Sequence, residues 1–384
     1  MLKRLVRVDP DMNSNATFLI RKEGAKIVTE FSRTQGGRPI VTRYPYSQKT
    51  WDRLVEKHLS KGYTDISADE DGRQTSFKRI ADKAVREFAD FITANSRKMV
   101  QENYVEQRFT RAMIGSAEAL LKKAAEAEDL EELNRYLVEL FKVLSRKMDS
   151  VKDCLAGSLA DKAGILERED ALLSAAKAEA RYQEAEPDKT VLEALGLEVR
   201  PVTDGEYAKI LEHIEPEVRG RCKRAFRVKN KETDARFEAF MEKNGYTKRD
   251  IHFRYHGTGK ENLLGILTEG PKLHPDARIT AKMFGFGFYT ADKAMKSLRY
   301  MGVRVDGKAY NRDRNDKGYL LVYKVLYKNP LHVYRHRHEM CSYTKREIAP
   351  HDALFAHAGE SLFNNEFIVY EEERVTVLYA IEVE

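Results

Sequence analysis

Two segments in the C-terminal half of the chain carry residue types that suit ligand binding. The pattern of residues 251–256 predicts a strand ending in His256, and Gly257 follows, where the missing side chain lets a ligand approach the backbone. Further along, residues 284–300 bring together two tyrosines and a hydroxyl group: Tyr289, Ser297 and Tyr300. Two aromatic rings, a hydroxyl, an imidazole and open amides would suit a flat aromatic ligand that carries an amide and a ribose.

A carboxylate near the C-terminus adds to this set. Glu366 opens a predicted strand, residues 366–370, that is rich in apolar side chains. A carboxylate in such a place is costly unless it has a partner or a function. Any one of these residues is more often structural than functional, so the interpretation depends on their combination. Gly285 and Gly287 form a Gly-x-Gly without the longer dinucleotide or Walker pattern, which disfavours a Rossmann or P-loop site.

Composition describes a multidomain globular protein. The chain has 384 residues, of which 42% are hydrophobic and 33% charged, and it has no apolar run of the roughly 18 residues that a membrane span needs. Cys154, Cys222 and Cys341 form no Cys-x-x-Cys, so neither a disulfide framework nor a metal site is expected. The N-terminus has no signal-peptide pattern, and we expect an intracellular protein, nuclear in a eukaryote or in the cytoplasm or nucleoid of a bacterium.

The positive charge is concentrated at the N-terminus. Residues 1–66 hold 13 Lys/Arg and 7 Asp/Glu, which accounts for the whole net charge of +6. Such asymmetry suggests contact with a nucleic acid or another polyanion, although a solvated basic face would give the same count.

The first 72 residues predict a small α+β module. Residues 17–20, 26–31 and 40–44 read as strands. Residues 47–59 predict an amphipathic helix that buries Trp51 and ends near Gly62. The polar segment 67–75 predicts a linker.

Helical periodicity dominates residues 77–186. Asp129 is a predicted N-cap with Glu132 three residues later, and the leucine stripes that follow are typical of a helical bundle. Beyond it, residues 197–202 read as extended and Thr203 as the start of a helix. The basic run 219–227 reads as solvated surface, and residues 233–241 alternate weakly.

Four C-terminal motifs resemble the catalytic domain of the poly(ADP-ribose) polymerases, the His-Tyr-Glu class of the ADP-ribosyltransferase fold. In family order they are His256-Gly257-Thr258, Gly285-Phe286-Gly287-Phe288-Tyr289-Thr290-Ala291-Asp292, Lys296-Ser297-Leu298-Arg299-Tyr300 and Asn365-Glu366-Phe367-Ile368-Val369-Tyr370. The resemblance covers residues 246–384 and implies a β-rich catalytic domain at 201–384.

Two upstream regions also resemble this family. The turn at Gly37-Arg38 and the helix from Trp51 to Tyr63 resemble the WGR domain, the nucleic-acid-sensing unit of the DNA-dependent members. Gly36 stands where that domain has its tryptophan, which departs from the family pattern. Residues 145–148 and 195–199 resemble the family's helical regulatory domain. The implied architecture is a multidomain α+β chain, with a WGR-like module at 1–72, an all-α bundle at 76–200 and the transferase fold at 201–384.

The resemblance implies a role for each residue of the C-terminal set. The backbone of Gly257 and the Ser297 hydroxyl would hold the nicotinamide carboxamide of NAD+, and Tyr289 and Tyr300 would stack on its ring. His256 would bind a ribose hydroxyl.

The remaining implied roles are catalytic. Glu366 would stabilise the charge that develops when the nicotinamide–ribose bond breaks and would polarise the acceptor, with Lys296 in support. NAD+ is the expected substrate, and no metal is expected. DNA, most simply strand breaks, is the expected activator, with phosphate contacts from Arg33, Arg38, Arg43 and Lys49.

The predicted function is DNA-activated poly(ADP-ribose) synthesis on the protein itself and on other proteins in a DNA-damage response, with the helical domain acting as an autoinhibitor. Two alternatives stay open. One is a mono-ADP-ribosyltransferase that acts on protein or nucleic acid, and the other is a nucleic-acid-binding protein with an inactive transferase domain.

Overall fold

The computed structural model describes residues 1–33, 38–65, 67, 77–105, 108–275, 277, 279–280, 282–301 and 317–384. The chain divides into two compact units. The first comprises Met1–Gln74 and Arg97–Gln183, and the second comprises Thr75–Ser96 and Glu184–Glu384. This division does not test the three predicted domain ranges, which stay a prediction.

Strands and helices occur in both units. The strands are β1 Leu2–Asp9, β2 Ser14–Glu23, β3 Lys26–Arg33, β4 Ile40–Pro45, β5 Thr64–Asp65, β6 Leu197–Pro201, β7 Cys222–Asn230, β8 Ile251–His256, β9 Phe288–Thr290, β10 Gly318–Leu326, β11 Pro330–Val333, β12 Ala353–Ala356, β13 Glu366–Val369 and β14 Val375–Val383. The helices are α1 Gln48–Leu59, α2 Lys83–Asn103, α3 Arg111–Glu126, α4 Leu130–Val143, α5 Lys162–Glu184, α6 Val191–Ala194, α7 Asp204–Glu212, α8 Pro216–Arg219, α9 Lys231–Lys243, α10 Lys260–Glu269, α11 Ala294–Tyr300 and α12 Lys345–Ile348.

The N-terminal sheet has the strand order β4-β3-β2-β1-β5 and packs on α1. Trp51, Leu54 and Val55 of α1 lie in its core, as the helical periodicity predicted, and the Ser47 hydroxyl caps the helix by accepting a hydrogen bond from the Thr50 amide. The predicted strands at 17–20, 26–31 and 40–44 lie within β2, β3 and β4. The sequence reading missed β1, because lysine and arginine interrupt its alternation.

The helical residues of the first unit lie beside this sheet. Asp129 caps α4 as predicted, accepting a hydrogen bond from the Glu132 amide at 2.8 Å. Buried Asn15 of β2 donates to the Arg146 carbonyl at 2.7 Å, and the Asn13 side chain accepts from the Val151 amide at 2.8 Å. The segment that follows α4 is therefore hydrogen-bonded to the N-terminal sheet.

The second unit contains two sheets, with the orders β6-β7-β14-β10-β8 and β11-β12-β13-β9. Two predictions for this unit were wrong. The basic run at 219–227 is not simply solvated surface, because most of it lies in β7, where Ala225, Phe226 and Val228 are buried. The weakly alternating segment at 233–241 lies within helix α9. In both segments the charged residues hid the apolar periodicity.

The two sheets of the second unit meet where β8 ends. The Tyr255 amide donates to the Ala291 carbonyl at 2.8 Å, and the Ala291 amide donates back to the Tyr255 carbonyl at 2.9 Å. Ala291 directly follows β9, so this pair of bonds joins an edge of each sheet. This junction therefore brings together the two segments with which the sequence analysis began, residues 251–257 and 284–300.

Candidate active site

His256 occupies the last position of β8 and is enclosed by aromatic rings. Its ring centroid lies 4.4 Å from that of Phe288 and 6.0 Å from that of Tyr323. Phe253, on the opposite face of this strand, is 58% exposed. The alternation of apolar residues in this short strand therefore did not identify its buried face.

The protonation of His256 follows from its hydrogen bond. Nδ1 lies 2.9 Å from the Tyr289 carbonyl, which can only accept, so Nδ1 carries the proton and Nε2 of the neutral ring is an acceptor. Burial lowers the pKa of His256 to about 4, which keeps the ring neutral near pH 7. Nε2 is itself buried and has no hydrogen-bond partner among the described residues. An unused buried acceptor is costly unless a ligand or water satisfies it.

Gly257 packs directly against α11. A Cβ atom built on Gly257 would lie 1.8 Å from the Ser297 carbonyl oxygen, so no larger residue fits without a shift of the backbone. This close approach brings the backbone of Gly257 next to buried Ser297. Two residues predicted to bind one carboxamide are therefore neighbours in space.

Tyr289 is held through its hydroxyl group. The hydroxyl donates to the Gly285 carbonyl at 2.8 Å and accepts from the Phe284 amide at 2.9 Å. Burial raises the pKa of Tyr289 well above its ordinary value, so the hydroxyl stays protonated. Gly285 has a φ of +76°, and a Cβ there would lie 2.0 Å from the Tyr343 carbonyl oxygen. The loop that fixes the Tyr289 ring thus requires glycine at this position.

Glu366 begins β13 and pairs with a lysine. β13 is antiparallel to β9, with Ile368 opposite Tyr289, so Glu366 lies close to the segment that precedes α11. Its Oε1 forms a buried ion pair with Nζ of Lys296. Burial lowers the pKa of Lys296, and the Glu366 carboxylate opposes that shift. Lys296 is therefore the partner that a carboxylate in this apolar strand needs.

Tyr300 lies at the end of α11, four residues after Lys296, and is 45% exposed. Residues at this spacing share one face of a helix. Tyr300 therefore lies on the same face of α11 as Lys296, and its side chain is far more exposed than that of Tyr289.

Some supporting residues had no assigned role in the sequence analysis. The Tyr370 hydroxyl donates to the Phe284 carbonyl at 2.6 Å and so supports the loop that holds Tyr289. The Asn365 side chain donates to Asp292 at 2.7 Å. Both belong to the recognised motifs, but spacing alone could not reveal contacts between segments more than seventy residues apart.

The residues predicted to contact nucleic acid lie at the surface of the first unit. Arg33, Arg38, Arg43 and Lys49 are all exposed, on β3, before β4, on β4 and in the first turn of α1. β4 is an edge strand of the sheet, and Ile40 and Val41 are also exposed on it. Gly36 and Gly37 lie outside the described residues.

Among the described residues no group of three or more histidine, cysteine, aspartate or glutamate side chains is arranged to hold a metal ion. None of the helices formed by these residues combines the length and the apolar character that crossing a membrane would require.

Comparison with known proteins gives a family match for the C-terminal part of the chain. Residues 206–384 match the family model for the poly(ADP-ribose) polymerase catalytic domain. The chain is 26% identical over 167 residues to uncharacterized protein 101L of Invertebrate iridescent virus 6, an alignment that covers 42% of this chain and 70% of the viral protein. It is 41% identical over 73 residues to human poly [ADP-ribose] polymerase 2, which covers 18% of this chain and 11% of the human enzyme.

The matched range contains each of the residues that the structure gathers around His256. It also ends with β14, the C-terminal strand of the larger sheet in the second unit. The match of residues 206–384 to the poly(ADP-ribose) polymerase catalytic domain indicates NAD+-dependent ADP-ribosyltransferase activity.

Proposed function

We propose that this protein is a DNA-activated poly(ADP-ribose) polymerase that modifies itself and other proteins. The observation that supports the transferase site best is the convergence of His256, Gly257, Tyr289, Ser297 and Glu366 from β8, β9, α11 and β13 at one junction. The five residues come from four separate motifs, and each is held by contacts that do not involve a ligand.

The nicotinamide end of NAD+ would bind beside α11. The carboxamide would exchange hydrogen bonds with the backbone of Gly257 and receive or donate one at the Ser297 hydroxyl. The aromatic ring would stack on Tyr289, whose orientation the bonds to Phe284 and Gly285 fix before any ligand arrives. Tyr300 would cover the other side of the ring. Aromatic stacking of this kind adds about 0.5–1.5 kcal/mol to the burial of each ring.

His256 would orient the ribose. Its Nε2 is a buried acceptor near pH 7, and a ribose hydroxyl is a donor of suitable size. The hydroxyl would supply the hydrogen bond that Nε2 lacks among the described residues.

Glu366 would act on the bond that breaks. Loss of nicotinamide leaves positive charge on the ribose C1′, and a nearby carboxylate stabilises that charge most effectively where water is excluded. The carboxylate would accept a hydrogen bond from the ribose 2′-hydroxyl and then take the proton of the attacking acceptor group. Lys296 would hold the Glu366 carboxylate in place through their ion pair.

Regulation by DNA is the second part of the proposal. Phosphates would contact the exposed basic residues Arg33, Arg38, Arg43 and Lys49 of the N-terminal sheet. The bonds from Asn15 to Arg146 and from Val151 to Asn13 support a route from that sheet to the helical residues. Helix α2 contributes residues to both compact units.

The test uses NAD+ with a labelled ADP-ribose moiety and measures how fast the label is transferred to the protein, with and without nicked or blunt-ended DNA. The wild-type chain should label itself, DNA should raise the rate, and the product should run as a ladder of long chains on a gel. Glu366→Gln, which keeps the size of the side chain, should lose about 10²–10⁴-fold in rate.

Each part of the proposal has its own contradicting result. Equal labelling by wild type and Glu366→Gln would remove the catalytic assignment. A rate indifferent to DNA would remove the regulation, and a product of single ADP-ribose units would favour the mono-transferase. Absence of nicotinamide release under every condition would favour the nucleic-acid-binding alternative.

A further inference from the structure

Two segments that carry the site residues are tied by side chains to which no role has been assigned. Asp292 lies in the short connection between β9 and α11, and Asn365 directly precedes Glu366. The Asn365 side-chain amide donates to Asp292 Oδ2 at 2.7 Å. The same side chain accepts from the Ala358 amide at 2.8 Å through its Oδ1.

Asn365 therefore fixes three segments at one point. They are the approach to α11, the segment that leaves β12 and the first residue of β13. The two ladders that β13 forms end here among the described residues: the ladder with β12 ends at the pair Ala356–Glu366, and the ladder with β9 ends at the pair Thr290–Phe367. Glu366 is the first residue of β13, and the side-chain bonds of Asn365 hold the residue directly before it.

Asp292 also contributes charge to the site. Its Oδ1 is buried, with no hydrogen-bond partner among the described residues. Burial lowers the pKa of Lys296, whereas Glu366 and then Asp292 raise it by electrostatic attraction to the ammonium. Lys296 thus lies in the field of two carboxylates, one in direct contact and one at longer range.

We propose that Asp292 is a positioning residue for the transferase reaction. Through Asn365 it fixes the first residue of β13, and through its charge it keeps the Lys296 ammonium opposite the Glu366 carboxylate. This inference rests on the proposed function of Glu366 and assigns Asp292 no contact with the substrate.

The side chains allow the hydrogen bond and the charge to be separated. Asp292→Asn keeps the shape and an acceptor for the Asn365 amide but removes the charge. Asn365→Asp places a carboxylate against a carboxylate and replaces the bond by repulsion. The double variant Asp292→Asn/Asn365→Asp restores one donor and one acceptor with the polarity reversed, and the Ala358 amide still finds a carboxylate oxygen.

The experiment measures nicotinamide release against NAD+ concentration and pH for the wild type and these three variants. Asp292→Asn should lower kcat about tenfold with little change in KM, and the alkaline limb of its pH profile should move to lower pH because Lys296 loses a supporting charge. Asn365→Asp should lower kcat about 100-fold, and the double variant should recover to the level of Asp292→Asn. Asp204→Asn, a change at an exposed carboxylate at the start of α7, should behave as wild type.

The outcomes separate this inference from the proposed function. A wild-type protein that releases no nicotinamide contradicts the proposed function itself. An active wild type with unchanged kcat and alkaline limb in Asp292→Asn contradicts the positioning role. So does a double variant no better than Asn365→Asp. A merely structural role would lower the melting temperature of the variants in parallel and leave the alkaline limb where it is.

Discussion

The candidate active-site cluster around His256 and the basic surface of the N-terminal sheet show two ways in which residues become functional candidates. In the cluster most side chains are buried, and their positions are fixed by a named contact, such as the ion pair of Lys296 with Glu366. On the basic surface Arg33, Arg38, Arg43 and Lys49 are exposed and share only their charge. Burial makes each residue of the cluster hard to replace, whereas exposure makes the four cations nearly interchangeable.

This difference predicts opposite responses to substitution. One change in the cluster should disturb stability and chemistry together. Several changes on the basic surface should leave stability alone and alter the response to a polyanion.

Removal of the Lys296 cation should give the largest loss of stability. Lys296→Met leaves the Glu366 carboxylate buried without its partner, and breaking a buried ion pair in this way costs about 3–5 kcal/mol of unfolding free energy. Urea unfolding measures the cost. Lys293→Met is the matched control, since Lys293 is exposed and lies just before α11. Equal stability of the two variants would mean that the pair is not a buried, mutually dependent contact.

Neutralisation of the basic surface should act on DNA affinity instead. We expect the combined change of Arg33, Arg38, Arg43 and Lys49 to glutamine to reduce the slope of log affinity against log salt by about 3.6, at about 0.9 per phosphate contact. Unfolding free energy should stay within about 0.5 kcal/mol of wild type, as is usual for surface changes.

The control for that experiment is a second set of four exposed lysines changed to glutamine on other surfaces. The set is Lys83, Lys98, Lys122 and Lys189. Fluorescence anisotropy with a labelled duplex gives both slopes. If the two sets reduce the slope equally, net charge governs binding and the N-terminal sheet has no special contact with DNA.

A methyl group at Gly257 should open the contact between β8 and α11. Gly257→Ala places a Cβ 1.8 Å from the Ser297 carbonyl, and overpacking of this kind costs about 1–3 kcal/mol. Thermal melting and nicotinamide release should both fall. Gly205→Ala in α7 is the control, because nothing lies within 4 Å of its Cβ and alanine favours a helix. A Gly257→Ala variant as stable and active as Gly205→Ala would contradict the close approach.

Acid should destabilise the cluster through His256. The folded pKa is about 4, below the ordinary value of 6.5, so between these values the unfolded chain binds a proton that the folded chain does not. His256 makes its full contribution to the free energy of unfolding above pH 6.5, and this contribution declines as pH falls. At about 1.4 kcal/mol per pH unit, the loss at pH 5 is about 2 kcal/mol. Urea unfolding measured above pH 6.5 and at pH 5 should show that His256→Gln lacks this part of the acid sensitivity. Identical pH dependence of the two proteins would show that His256 is not held neutral by burial.

The same contrast explains what could be predicted from the sequence. His256, Tyr289 and Glu366 were predicted as site residues because they stand in fixed motifs, where backbone and side chain are both constrained. The helix at Trp51 and the cap at Asp129 were found because local spacing and capping suffice to define them. Strand β7 was missed because Arg224 and Arg227 interrupt its alternation, although Arg224 pairs with Glu382 across the sheet at 2.7 Å. Only long-range pairing reveals such a strand, and a single sequence does not show it.

The most direct test of the central claim is the structure of the chain with benzamide, a nicotinamide analogue that lacks the ribose. We expect the benzamide ring to stack on Tyr289 and its carboxamide to form hydrogen bonds with Gly257 and Ser297. We also expect Ser297→Ala to weaken benzamide binding. Benzamide bound elsewhere in the chain, or bound with the same affinity after Ser297→Ala, would contradict the assignment of this junction as the NAD+ site.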